Sequence, residues 1–294
     1  MPTNFSTGVL SRGVPTESGD LLTGGDIYWV DSGHANTSDG NSGKRRDQPL
    51  ATIAQAVSNT TASNGDFILV AEGHAETITA KVDVSVIGVT IRGLGRGTLR
   101  PSITGNVGDD TFDLSAANCR IEGLHFNEAT SVTGGAINVS AAYCEIVDCR
   151  FDCGANDLES ITVTATGDNL LIDGCEFNVT ANGPDAAIEI EAAGCDRITI
   201  QNNIFNGGSD SNAWDVGAIN SGVANTAALV RNNQSVFGAF CIFSSTATGN
   251  ISDNRMGEGT LGSMLDPGSC MCFRNLEADA VDQKAREFPT TEAS

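Results

Sequence analysis

A six-residue phrase recurs seven times along the chain, and no other feature of the sequence constrains the fold as strongly. Successive phrases begin 30, 25, 26, 28, 30 and 21 residues apart. One unit of this size cannot bury its own apolar face, so the units must stack, and stacking builds a continuous core. The repeat therefore predicts a solenoid. The phrases are Ile91–Arg96, Ile121–Phe126, Ile146–Phe151, Ile172–Phe177, Ile200–Phe205, Val230–Ser235 and Ile251–Met256.

Aligned position by position, the phrases indicate which solenoid forms. The first position is always Ile or Val, and apolar residues tend to alternate with polar ones before it, as in β-strands. The third position holds Gly, Asn or Asp, which tolerate left-handed backbone at a turn. Stacked like side chains pack face to face, and stacked Asn amides can form a hydrogen-bonded ladder. The fourth position reads Leu94, Leu124, Cys149, Cys175, Asn203, Asn233 and Asn254, and the sixth is Phe or Met in five phrases.

A second strand is predicted ahead of most phrases. The alternative fold is an ordinary β-sandwich with regularly spaced strands, and the matching of columns from phrase to phrase disfavours it. The sequence therefore predicts an all-β chain folded as a parallel β-helix. The predicted second strands are Phe112–Leu114, Ile137–Val139, Ile161–Val163, Ile188–Ile190 and Cys241–Phe243.

The chain divides into four predicted parts. Residues 26–80 open the β-helix and include an amphipathic pattern at Pro49–Val57, which predicts a short helix that plugs the open end of the core. Residues 81–256 form the coils, and residues 257–294 form a C-terminal cap and tail. Residues 1–25 lack periodicity, so we predict an extended docking arm that orders only against another surface. Its predicted docking residues are Phe5, Val9, Leu10, Arg12 and Val14.

Several stretches resemble known families. Asp39–Gly43, Gln48–Val57 and Asn64–Thr77 resemble the opening module of pectate-lyase-like right-handed β-helices. Val89–Pro101 is similar to β-helix structural proteins of tailed bacteriophages, and Asn4–Pro15 is similar to the arms that begin phage capsid-associated proteins. The resemblance implies a right-handed parallel β-helix in a virion protein, without saying which part of the virion.

Charge and hydropathy narrow the expected partners. The chain has 16 Lys and Arg against 37 Asp and Glu, a net charge of −21. Because phosphate backbones attract basic faces, we expect no nucleic-acid partner. No segment approaches the eighteen or more apolar residues of a membrane span, and the N-terminus lacks a signal pattern, so we expect no membrane partner and synthesis in the host cytoplasm.

The nine cysteines do not form an obvious disulfide framework. Their number is odd, and four of them fall in apolar columns: Cys119 above Cys144, and Cys149 above Cys175. Neighbouring coils lie about 4.8 Å apart, which is within bridging range, so disulfides remain open. The favoured prediction is that all four are buried as free thiols.

Catalysis has to be weighed because many pectate-lyase-like β-helices cleave acidic polysaccharides. The acidic and basic motifs of galacturonan hydrolases do not occur intact, and Gly73–Glu76 is only a partial match to one of them. Asp109, Asp110 and Asp113 are a candidate calcium cluster, with Arg100 or Arg120 as the base. Acidic residues at a turn in so acidic a chain are more often simply solvated.

The sequence contains no convincing metal-binding motif. His34, His74 and His125 lack the spacing of zinc ligands, and Cys270 and Cys272 are a two-ligand fragment that is better explained by packing. We therefore expect no metal, no cofactor, no catalytic residue and no enzymatic activity.

Three functions remain, in order of preference. The first is a capsid decoration or cement protein on the outer phage head, bound to the major capsid protein as a homotrimer. The second is a tail spike or fibre that binds or trims host polysaccharide. The third is a secreted polysaccharide lyase or hydrolase.

Overall fold

The computed structural model describes residues 10–11, 14–15, 24–105, 108, 110–128, 134–154, 159–164, 166–180, 184–208, 214–257, 264–278 and 285–287. Within these ranges the chain winds through successive coils, and each full coil adds one strand to each of three parallel sheets. We number the sheets 1, 2 and 3 in the order in which a coil reaches them. The predicted fold class, a parallel β-helix, is confirmed.

Sheet 1 contains the start of each repeated phrase. Its strands pair in register, so that Ile121 lies between Ile91 and Ile146, and all three side chains are buried. The strands are Ile27–Val30, Phe67–Val70, Thr90–Gly93, Arg120–Glu122, Glu145–Val147, Leu171–Asp173, Thr199–Gln201, Ala228–Arg231, Gly249–Ser252 and Met271–Phe273.

Sheet 2 contains the end of every phrase after the first and carries the predicted aromatic stack. The rings of Phe126, Phe151, Phe177 and Phe205 stack at centroid distances of 5.0, 4.8 and 4.9 Å. The strands are Ala75–Ile78, Ser102–Gly105, His125–Glu128, Arg150–Cys153, Glu176–Val179, Ile204–Asn206, Gln234–Val236, Arg255–Gly257, Leu276–Ala278 and the antiparallel Ala285–Glu287.

Sheet 3 contains the predicted second strands, and all five predictions are confirmed within their observed bounds. The structure adds three strands whose sequences are short or weakly apolar, the first, the sixth and the last in the sheet. The strands are Val82–Asp83, Phe112–Leu114, Ile137–Val139, Glu159–Val163, Ala186–Ile190, Ile219–Ser221, Cys241–Phe243 and Leu265–Asp266.

The turn between sheets 1 and 2 is as tight as the third column predicts. Asp148, Asn202, Asn232 and Asp253 have φ values of 48°, 57°, 55° and 58°, which lie in the left-handed region. The next residue of each turn points into the core. From Asn203 onward that residue is a buried asparagine, so the turn also supports the predicted amide ladder.

The first phrase departs from its predicted columns. Leu94 is 41% exposed instead of buried, because its sheet 1 strand continues to Gly93, one position further along the phrase than the next strand, which ends at Glu122. Residues 95–101 form an insertion with one 3-10 turn, Gly97–Leu99. A Cβ at Gly95 would collide with the carbonyl oxygen of Leu99, so only glycine fits this fold-back. As a result Ile103, and not Arg96, pairs with Phe126.

The coils also extend beyond residue 256, where the sequence analysis ended them. Met271–Phe273 and Leu276–Ala278 pair in parallel with the preceding coil. The phrase was missed because its first position is Cys272 and its sixth is Glu277, neither of which fits its column. Asn275 still occupies the fourth position, and its ladder contacts hold this coil in register.

The predicted capping helix is present, but it begins later than predicted. It spans Ile53–Asn59, and the side chain of Thr52 caps it by accepting a hydrogen bond from the Gln55 N–H at 3.2 Å. Leu50 stays extended and bridges to Val30 of sheet 1. The helix buries its apolar face against the first strands of sheets 1 and 3, which closes the N-terminal end of the core.

Candidate functional site

Most of the predicted docking arm lies outside the described residues, including Phe5, Val9 and Arg12. The structure describes only the backbone of two short strands. Leu10–Ser11 pairs antiparallel with Val14–Pro15, so Leu10 lies opposite Pro15.

The candidate calcium cluster is engaged in structural hydrogen bonds. Asp109 lies outside the described residues. Asp110 accepts a hydrogen bond from the Gly135 N–H at 2.9 Å. Asp113 accepts from the Asn138 amide at 3.1 Å and from the Ser140 hydroxyl at 3.0 Å. These bonds tie one coil to the next.

The two candidate bases lie away from that cluster. Asp113 belongs to sheet 3, whereas Arg120 projects from sheet 1, where it pairs with Glu122 at 2.9 Å and also with Glu145. Arg100 precedes sheet 2 and pairs with Asp148 at 3.0 Å. The two predicted bases are thus held by carboxylates other than those of the cluster, and Lys81 Nζ lies 3.7 Å from the Asp113 carboxylate.

His74 and Glu76 hold the capping helix in place. The imidazole Nδ1 accepts a hydrogen bond from the Ser32 N–H at 3.0 Å, and Nε2 lies 3.2 Å from the Glu76 carboxylate. The same carboxylate accepts from the Ile53 N–H, at the first turn of the helix. The partial motif Gly73–Glu76 thus has a structural role.

A concave site lies where the insertion of the first phrase overhangs sheet 2. We call it the Arg100 groove. It has a volume of about 340 Å³. The insertion contributes one wall, and the outward side chains of three neighbouring sheet 2 strands contribute the other. It is lined by Gly97, Thr98, Arg100, Ser102, His125 and Arg150.

The polar groups of the groove are fixed by carboxylates outside its lining. His125 Nε2 lies 2.8 Å from Asp152, and Arg150 Nε donates to the same carboxylate at 2.9 Å. Burial works against ionisation of Asp152, but the hydrogen bonds from His125 and Arg150 outweigh it and lower the pKa of this carboxyl below its ordinary value. Asp152 is therefore an anion that orients both side chains.

Sheet 3 presents an acidic face of different character. Burial, followed by the negative charges of Glu189 and Glu191, raises the pKa of Glu159 to about 7. Burial also raises the pKa of Glu189, although its carboxylate accepts a hydrogen bond from Asn220 at 2.7 Å. A carboxyl that is partly protonated near neutral pH can act as a general acid.

Sequence reasoning missed both the groove and the acidic face. The signal for the groove was the 30-residue step between the first two phrases, which is longer than the next step and marks an insertion. No local sequence pattern identifies Glu159. It lies near Glu189 because its strand pairs with the strand of the next coil, where Glu159 is opposite Ala186.

Across the described ranges, no group of three or more His, Cys, Asp or Glu side chains is placed to hold a metal ion. In the same ranges, no helix has the length and apolarity needed to span a membrane.

No protein-family model matches the sequence, and no curated protein matches it either. Solved structures do resemble it. ORF18 of Geobacillus virus E2 has a TM-score of 0.50 at 11% identity, over 77% of this chain and 57% of that chain. The GH136 lacto-N-biosidase from Eubacterium ramulus has a TM-score of 0.50 at 12% identity, over 87% of this chain and 64% of that chain.

The chain shares their β-helix fold. At these identities the likeness concerns the fold alone. This chain spans less than two thirds of the length of either protein, so both contain substantial structure that has no counterpart here.

Proposed function

We propose that the protein is a non-enzymatic virion protein that decorates the outer surface of a phage head and stabilises its lattice. The observation that carries the proposal is the use of outward polar groups as coil-to-coil ties. Asp113 bonds to Asn138 and Ser140 of the next coil, and Arg120 pairs with Glu145 of the next strand in sheet 1. A lateral surface built in this way is rigid and suits a mechanical role.

The proposed partner is the major capsid protein, and the arm is the proposed contact. A ligand that bridges several capsid subunits gains avidity because its later contacts are effectively intramolecular. Binding only to the assembled lattice then stabilises that lattice by mass action. A viral protein with the same fold is compatible with this proposal.

The proposed assembly is a homotrimer. Sheet 3 carries the carboxylates of Glu159 and Glu189, whereas the first coils of sheet 1 carry Arg92 and Arg120. Unlike faces of opposite charge can meet head to tail, and such contacts form a closed ring when the rotation between copies permits. Three elongated copies around one axis also match a three-fold point of a capsid lattice.

Deletion of residues 2–22 tests the docking role. Full-length protein and the truncated protein are each mixed with phage heads that lack it, and bound protein is counted after sedimentation. We expect the truncated chain to keep its β-sheet circular dichroism spectrum and to lose binding. Normal binding by the folded truncated chain would place docking in the coils or the C-terminal cap and refute the arm as the contact.

A second candidate function is glycoside hydrolysis, and the raised pKa of Glu159 favours it. An acid of this kind beside an ionised carboxylate is the usual pair for glycosidic cleavage. The leading proposal expects no release of oligosaccharide from pectin, polygalacturonate, alginate or host capsular polysaccharide, with or without calcium. Turnover that is abolished by Glu159→Gln or Glu189→Gln, but kept by Asp113→Asn, would establish the hydrolase instead.

A further inference from the structure

The Arg100 groove stands out because of the charge that lines it. The chain has more than twice as many acidic as basic residues, yet among the residues that the structure describes, every ionisable side chain in the lining of the groove is basic or neutral: Arg100, His125 and Arg150. Asp148 and Asp152, which pair with these groups, lie outside the lining. The groove lining therefore presents donors, and the carboxylates that pair with them lie beside the lining.

The arginines are held in place before any ligand arrives. The side chain of Arg100 is only 15% exposed and is tied to Asp148 through one terminal nitrogen. Arg150 uses its Nε for Asp152, which leaves its two terminal nitrogens at the outer end of the side chain. Fixing a guanidinium in advance reduces the entropy lost when it binds, because its planar fork is already oriented.

His125 and the hydroxyls complete the polar lining. Asp152 is an anion, so the imidazole Nε2 donates to it, and Nδ1 carries the lone pair when the ring is neutral. Ser102 lies directly beside His125 in the sheet, and Thr98 faces it from the insertion wall. A ligand with a hydroxyl next to its charged group can thus be bound at both points.

We propose that the Arg100 groove binds an oxyanion: a carboxylate, or a phosphate or sulfate ester, carried on a small molecule or at the end of a larger one. The planar, forked donors of arginine match the oxygen spacing of these groups. The volume of about 340 Å³ suits a group of monosaccharide size. This inference is independent of capsid docking, since none of these residues belongs to the arm.

Titration calorimetry with inorganic phosphate, sulfate and acetate at constant ionic strength tests the groove. Loss of one charge-assisted contact should weaken binding about tenfold in Arg150→Gln and in Arg100→Gln. Arg231→Gln is the matched control, because it removes the same charge from an exposed arginine three coils beyond Arg150, whose side chain donates to Gln201. Its affinity should stay within about twofold of the wild type.

A blocking variant covers the risk that loss of Arg100 disturbs the fold. Ser102→Tyr fills the groove from an outward strand position and keeps every charge, so it should abolish binding by blocking the groove, whereas the arginine variants only weaken it. The order of affinities for the three anions distinguishes the classes of ligand. If acetate binds most tightly, the natural ligand is a carboxylate; if phosphate or sulfate binds most tightly, it is a phosphate or sulfate ester. The proposal is overturned if the groove variants bind like Arg231→Gln, or if wild-type protein binds none of the anions.

Discussion

The side-chain amide of Asn203 donates from Nδ2 to the Oδ1 of Asn233 at 3.1 Å, inside the core of the β-helix. The same Oδ1 accepts the backbone N–H of Asn203 at 2.9 Å. Asn254 and Asn275 repeat both contacts in the next two coils. Each amide therefore satisfies two buried donors of its neighbour, which makes the ladder a continuous polar spine in an otherwise apolar core.

Asn233→Ala should destabilise the protein by about 3 kcal/mol, because it leaves two buried donors of Asn203 without an acceptor. Urea unfolding followed by circular dichroism measures the change. Asn127→Ala is the control, since that residue is exposed and makes one long contact with Ser102; it should change stability by less than about 0.5 kcal/mol. Equal effects of the two substitutions would remove the ladder as a source of stability.

Phe177→Ala should cost about 3–5 kcal/mol, because its ring fills the core between Phe151 and Phe205 at 4.8 and 4.9 Å. Phe177→Leu keeps most of the apolar volume and should cost less than half as much. The same urea titration compares the two variants. If leucine and alanine are equally harmful, face-to-face stacking and not volume dominates this column.

Glu159→Gln should stabilise the protein at pH 8 and have little effect at pH 5. The folded-state pKa of Glu159 is raised to about 7, above the ordinary value of 4.5. Its stabilising contribution is therefore full below about pH 4.5 and is lost as the pH rises through 7. Melting temperatures of variant and wild type at both pH values measure the difference.

Glu72→Gln removes the same charge from an exposed position and serves as the control for Glu159→Gln. Its effect should be small at both pH values. A Glu159→Gln effect that does not change between pH 5 and pH 8 would show that this carboxyl does not titrate in that interval.

Thiol labelling should be slow in the folded protein and complete in denaturant. All nine cysteines are buried, and the predicted burial of Cys119, Cys144, Cys149 and Cys175 is confirmed. Burial raises the pKa of Cys144 to about 12, so very little reactive thiolate forms at neutral pH. Reaction with Ellman's reagent at pH 8 measures this, and release of several equivalents within seconds from native protein would contradict the observed register.

The sequence predicted the regular part of the molecule because each column encodes its own environment. Local sequence shows which side chains face the core: Ile at the first position, a turn former at the third and Phe at the sixth. The same pattern recurs in successive coils, so it can be recognised without the structure. The Asn ladder could be predicted for the same reason. The final coil could not be predicted, because Cys272 and Glu277 do not match the residues of their columns. Their positions follow from the stacking of this coil on the preceding one.

The tertiary structure alone decided where chemistry could occur. Arg100 and Asp148 are 48 residues apart in the sequence, and His125 and Asp152 are 27 residues apart. Both pairs come into contact because of the lengths of the coils between them, and the fold-back at Gly95 also positions Arg100. Insertions and loops carry no repeating column, and their direction is set by what they pack against. The sequence by itself determined a parallel β-helix with ordered columns, whereas its grooves and charged faces followed from the way in which unequal coils stack.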